Sequence, residues 1–138
     1  MCTKLFVHMT DTNIRPTDAE LEILQILWNK GEATVREVND ILNASQQKAT
    51  GYTTTLKLMQ IMFEKGLLVR DDTQRTHIYS AAVREGNIQS ALLSRFLQAA
   101  YKGSASKLAV HLLGNHATTP DELAEIRAII EELENKRK

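Results

Sequence analysis

From Pro16 onward the apolar positions of this chain fall into short periodic runs, separated by polar breaks often marked by glycine. Leu21, Leu24, Leu27 and Trp28 recur at helical spacing and predict one apolar helix face. Thr17-Asp18-Ala19-Glu20 has the form of a capping box, in which the Thr17 hydroxyl and Glu20 carboxylate each serve a free backbone amide. With Gly31 as the natural stop, the first helix is expected from about Asp18 to Lys30. Thr34-Val35-Arg36-Glu37 is a second capping box, and Val35, Val38, Ile41 and Leu42 form the expected buried stripe of a short second helix. The weak helix formers Asn43-Ala44-Ser45 end it.

A third helix is expected from near Gly51 to Lys65, with Gly66 as its stop. Its inward face would hold Tyr52, Leu56, Met59, Met62 and Phe63, and its outward face Thr53, Thr54, Lys57, Gln60 and Ile61; the Tyr52 ring suits the core, but from the first turn its hydroxyl could also reach a phosphate. Threonines cost little in a first turn, where a hydroxyl can serve free amides or a ligand. Leu67 to Arg70 and Arg75 to Tyr79 are β-prone runs flanking the polar Asp71-Asp72-Thr73-Gln74, the pattern of a hairpin. From Val83 the helical pattern returns, with Ile88, Ala91, Leu92, Phe96, Leu97, Ala100 and Tyr101 in one stripe, interrupted at Gly103. Leu108, Val110, Leu112 and Leu113 form a second piece, stopped by Gly114-Asn115. Thr119-Pro120-Asp121-Glu122 opens a last helix carrying Leu123, Ile126, Ile130 and Leu133.

The expected fold is therefore mainly α with a small β-hairpin: a winged helix-turn-helix followed by a helical dimerisation domain. The expected domains are an N-terminal arm over 1–15, which has no periodicity, a winged helix over 16–82 and the helical domain over 83–138. Met1 and Met9 are both open as starting residues. In a winged helix two helices support a third, whose N-terminal side chains enter the major groove, and the hairpin reaches phosphate or minor groove beside it. Winged helices also serve as protein-interaction modules without a DNA role, and this alternative stays open.

Charge bears on that choice. Lys and Arg together number 17, as do Asp and Glu, so the formal net charge is zero, whereas many nucleic-acid-binding domains are strongly basic. Yet Asp18 to Asp40 carries two cations against six anions, and Ile41 to Ser80 carries five against three. The supporting helices are acidic and the proposed contact half is mildly basic, the direction a polarised binding face requires. Two solvated helix faces would give the same split. The single Cys2 excludes an intrachain disulfide and a thiolate zinc cluster, and weakly fits a reducing compartment. His111 and His116, five apart, lack the spacing of a one-face metal pair, so neither metal nor cofactor is expected. No apolar run approaches a membrane span, and no phosphate loop, His-Glu-x-x-His or nucleophile elbow points to an enzyme.

The runs Pro16 to Trp28, Ala33 to Val38, Gly51 to Met59, Glu64 to Leu68 and Arg75 to Tyr79, with Phe96-Leu97 through Tyr101-Lys102-Gly103, together resemble the penicillinase-repressor family (BlaI/MecI type). The resemblance covers roughly Pro16 to the end of the chain. It implies a cytoplasmic bacterial repressor acting as a homodimer on a dyad-symmetric operator, with antibiotic resistance as the regulated trait. In the best-known members a membrane sensor with cytoplasmic metalloprotease activity leads to cleavage at an Asn-Phe bond. The matching place here holds His111-Leu112 instead. Copper-responsive relatives carry a Cys-rich C-terminal metal site, and nothing of that kind follows Pro120.

The candidate DNA contacts are Thr53, Thr54, Lys57 and Gln60 on the third helix, Lys48 before it, and Arg70 and Arg75 on the wing. The plain alternative is an exposed helix face and a hairpin whose arginines pair with Asp71 and Asp72. His77 is expected to pack within the wing strand, and Trp28 in the core. The candidate dimerisation residues are Leu92, Phe96, Leu123, Ile126, Ile130 and Leu133. A C-terminal helix pair of roughly 50 residues has too little mass to cover such stripes alone, and an isologous dimer would let each cover its partner.

Overall fold

The first two helices start where their sequences supply acceptors for otherwise unpaired amides. The computed structural model describes residues 15–45 and 49–137. The N-terminal arm, Arg15 apart, and Lys48 lie outside the described residues. Helix α1 spans Asp18–Lys30 and opens on the complete Thr17/Glu20 capping box. It stops at Gly31, whose φ of 96° lies in the left-handed region that favours glycine. Helix α2 spans Val35–Ser45, with Thr34 and Glu37 exchanging their amide bonds at 2.9 and 3.2 Å. It ends within the expected closing residues Asn43-Ala44-Ser45, where the Ser45 hydroxyl donates back to the carbonyls of Ile41 and Leu42. Helix α3 spans Tyr52–Glu64.

Strands β1 (Leu68–Asp71) and β2 (Ile78–Ala81) pair antiparallel, with Leu68 opposite Ala81 and Asp71 opposite Ile78. The second strand begins three residues later than Arg75, where it was expected. Residues Arg75 to His77 instead belong to a longer wing tip, and His77 is exposed there rather than packed in a strand. Ala33 and Tyr79 exchange both backbone hydrogen bonds, at 2.9 and 2.8 Å, which ties the hairpin to the α1–α2 connection. Helix α4 spans Glu85–Tyr101, α5 spans Ala105–Asn115 and α6 spans Pro120–Lys136.

The chain divides into two compact units, one ending at Leu93 and the other beginning at Ser94. The core of the first draws Ile23, Leu24 and Leu27 from α1, Val38 and Leu42 from α2, Met59 and Met62 from α3, Leu67, Leu68 and Tyr79 from the hairpin, and Ile88 from α4. Trp28 packs partly buried against that core, and its indole nitrogen donates to the Val83 carbonyl at 2.9 Å. Two inward assignments are corrected. Ile41 is exposed at the edge of the α2 stripe, and Tyr52 is 42% exposed. Thr55, which the apolar pattern passed over, is fully buried one turn before Met59, on the face that Met59 and Met62 continue.

In the second unit Lys102 and Gly103 both take positive φ, breaking the helical run before Ser104 caps α5. The Thr119/Glu122 capping box and Pro120 open α6 as expected. Among its described residues no side chain is buried. Phe96, Val110, Leu112, Leu113, Leu123, Ile129, Ile130 and Leu133 are all exposed. Ile126 is half-buried, while Leu92 packs against the core of the first unit. No described helix is long and apolar enough to cross a membrane.

Candidate nucleic-acid interface

The helical period sets which side chains α3 can offer. Thr55, Met59 and Met62 point inward, so Thr53, Lys57, Gln60 and Ile61 fall on the opposite arc, with Thr54 at its edge. All five are exposed. The helix opens after Gly51, which supplies no side-chain cap, and its first turn contains no acid. Its positive end is therefore unneutralised by its own sequence.

Polar ties hold this helix at both ends. At the start, the Thr50 amide donates to Asn43 Oδ1 at 2.6 Å and the Thr55 hydroxyl to Asn39 Oδ1 at 2.7 Å, joining α3 to α2. Just past its end, Lys65 Nζ meets both carboxylate oxygens of Glu20 at 2.7 and 3.0 Å. Glu20 thus serves two tasks: its Oε1 also accepts from the Thr17 amide at 2.9 Å. Its side chain is 3% exposed, and a carboxylate this buried requires such partners. Of these bonds only the Thr17–Glu20 capping pair is legible in the sequence. The Glu20–Lys65 pair joins residues 45 apart, and the Thr55 position could have been found only by letting a polar residue into the period of Met59 and Met62.

The wing is organised by its acids. Asp71 Oδ1 accepts from the Thr73 amide at 2.9 Å and the Thr73 hydroxyl at 2.7 Å, and these bonds hold its carboxyl below its ordinary range. Asp72 Oδ1 lies 2.8 Å from Arg70 Nε and 3.6 Å from His77 Nε2. Arg70 Nε is shielded from solvent without an aligned hydrogen bond, so its approach to Asp72 is ionic. The Arg70 guanidinium also lies 4.2 Å from the centroid of the Phe63 ring. The Tyr79 side chain first, and Asp72 second, hold it firmly protonated. Arg70 therefore docks the wing on α3, and it borders one open groove with Lys57 and Gln60.

Arg75 borders a second groove on the other flank of the helix, with Arg36, Tyr52, Thr34 and His77. Arg36 counts among the cations of the supporting helices and is not among the contacts expected from the sequence. Its place in the first turn of α2, just after the Thr34 cap, was the available signal. Neighbouring Glu37 is held below its ordinary carboxyl range by the Thr34 amide first and by Lys30 as well.

Two further candidates lie elsewhere. His111 and Leu112 sit within α5 and are exposed, and the Tyr101 hydroxyl is 3.1 Å from His111 Nδ1. Beside α3 the cations Lys57 and Arg70 stand with Gln60 and the apolar Ile61, and Glu64 is the acid at the far end of the helix.

The sequence model of the family described as "Penicillinase repressor" matches residues 16–132. The "Penicillinase repressor" of Staphylococcus aureus is 21% identical over 128 residues, which is 93% of this chain and 100% of that protein. The "Penicillinase repressor" of Bacillus licheniformis is 24% identical, covering 88% of this chain and 94% of its own length. The "Transcriptional regulator BlaI" of Mycobacterium tuberculosis is 29% identical, covering 85% of this chain and 83% of its own.

Proposed function

Because the chain belongs to the penicillinase-repressor family, we propose that it is a DNA-binding transcriptional repressor, not an enzyme, that acts in the cytoplasm as a homodimer on a dyad-symmetric operator. The observation that carries the DNA-binding part is α3: a helix tied at both ends, with an acid-free first turn and an exposed arc of Thr53, Thr54, Lys57 and Gln60. Such an arc suits base edges, which offer hydrogen-bond acceptors to lysine and paired donor–acceptor sites to glutamine. Arg70 and Arg75 meet phosphate from the wing, and Lys48 adds a cation ahead of the helix.

The dimer is supported by the second unit, which has a row of exposed apolar side chains and no buried one among its described residues. A second copy would cover Phe96, Leu123, Ile126, Ile130 and Leu133. Induction would come through a membrane-sensor metalloprotease system cutting near His111-Leu112. That bond lies inside α5, so the helix must open locally before a protease can hold it as an extended strand.

The deciding experiment is gel retardation of the full chain on duplex DNA from its own upstream region, in a series of salt concentrations. Retardation that weakens steeply with salt is expected. Absent or salt-independent binding sinks the repressor reading.

A further inference from the structure

Beside α3 lies a pair of cations, Arg36 and Arg75, that no ion pair of the described residues engages. Arg36 leaves the first turn of α2 and lays its guanidinium over the Tyr52 ring, 5.3 Å from the centroid. Arg75 enters the same groove from the wing tip. No carboxylate lines that groove among the described residues. The ion pairs of the described residues engage Lys30, Lys65, Arg70 and His77, and neither Arg36 nor Arg75 takes part in one. Two guanidinium groups bordering one concavity without an internal counter-charge repel each other, and an anion between them removes that cost. Guanidinium also matches phosphate oxygens with two parallel hydrogen bonds. The Tyr52 ring limits the rotamers open to Arg36, so less freedom is lost when a ligand arrives.

We propose that Arg36 and Arg75, with Tyr52 as the platform that positions Arg36, clamp the phosphate backbone of the DNA whose bases face α3. The clamp rests on the DNA-binding reading and deepens it: α2, as well as α3 and the wing, contributes a contact. Phosphate contacts set register and orientation without reading sequence. The clamp therefore fixes how far along the major groove Lys57 and Gln60 reach, and the choice of base stays with α3.

The test titrates full-length protein against labelled duplex from its own upstream region at several salt concentrations. Arg36→Ala is expected to weaken binding roughly tenfold at low salt and to reduce the salt slope by about one. Preference over a scrambled duplex should be unchanged. Tyr52→Phe should bind like the parent, and Tyr52→Ala should reproduce much of the Arg36→Ala loss. Equal losses in Tyr52→Phe and Tyr52→Ala would overturn the platform, since the hydroxyl would then be the contact. A parent that binds with a steep salt dependence beside an Arg36→Ala variant of equal affinity and slope overturns the clamp and leaves the repressor reading standing. A parent that does not bind at all removes that reading first. Inorganic phosphate supplies the remaining arm. If it raises the Tm of the parent but not of Arg36→Ala, while DNA binding of the two is equal, the groove serves a free anion and the clamp is overturned.

Discussion

Lys57 and Thr55 sit two residues apart on α3 and have opposite tasks. Lys57 is exposed on the outward arc, with three donors and no acceptor to offer. A lysine that meets guanine edges is worth about 1–3 kcal/mol of discrimination. Lys57→Ala is therefore expected to weaken operator binding by about that amount and to relax the preference at one base pair, as measured by titration against single-base variants of the site. Uniform weakening across all variants, with a salt slope lower by about one, would reassign Lys57 to phosphate. Thr55 is fully buried and donates to Asn39 at 2.7 Å. Thr55→Val keeps the shape and removes the donor, so it should cost about 1 kcal/mol of stability in urea unfolding. An unchanged midpoint at equal m-value would show that the bond contributes nothing to stability.

Elements were legible where the signal is local. The boxes at Thr17/Glu20 and Thr119/Glu122 and the glycine stop at Gly31 need only a few consecutive residues, and each is formed. The outward arc of α3 followed from period alone. The sites were less legible because they depend on distant partners. Arg36 meets Tyr52 only after the α2–α3 turn closes, and Lys65 meets Glu20 only after α3 has packed on α1. Tyr52 fits either the core or a phosphate contact by sequence, and its position at the start of the helix leaves the ring bordering the groove. The late start of β2 has a local cause that the pattern of β-prone residues hides. Asp71 turns back on Thr73, so the chain is already turning where pairing would continue. That turn has a pH signature. A carboxyl with a depressed pKa stabilises the fold above its unfolded pKa and loses the contribution as pH falls through its folded pKa. The Asp71 turn should therefore be fully formed at neutral pH and loosen only on the acid side of the ordinary carboxyl range. In an NMR titration Thr73→Val should move the Asp71 carboxyl upward toward that range. A titration point unmoved by the substitution would leave the depression without its stated cause.

At the scale of the whole molecule, a net charge of zero hides a division of labour. The α1–α2 stretch carries a net −4 and the segment with α3 and the wing a net +2. So few cations per winged helix give weak non-specific affinity, because each phosphate neutralised adds only its own share of counter-ion release. Tight operator binding then requires two winged helices held together, so that the second half-site is met at high effective concentration. The uncovered apolar side chains of the second unit are the natural means of joining them. Replacing Ile130 and Leu133, each about half exposed, by Asp would put four carboxylates into an isologous interface, where like charges have no water to screen them. The doubly substituted chain is expected to sediment as a monomer beside a dimeric parent. Its affinity for the full operator should fall toward that for a single half-site, while its affinity for an isolated half-site stays near the parent value. That contrast separates a lost dimer from a damaged winged helix, which would weaken both. A parent that already sediments as a monomer, and still binds the full operator tightly, would show that α3 and the wing reach high affinity without a second copy.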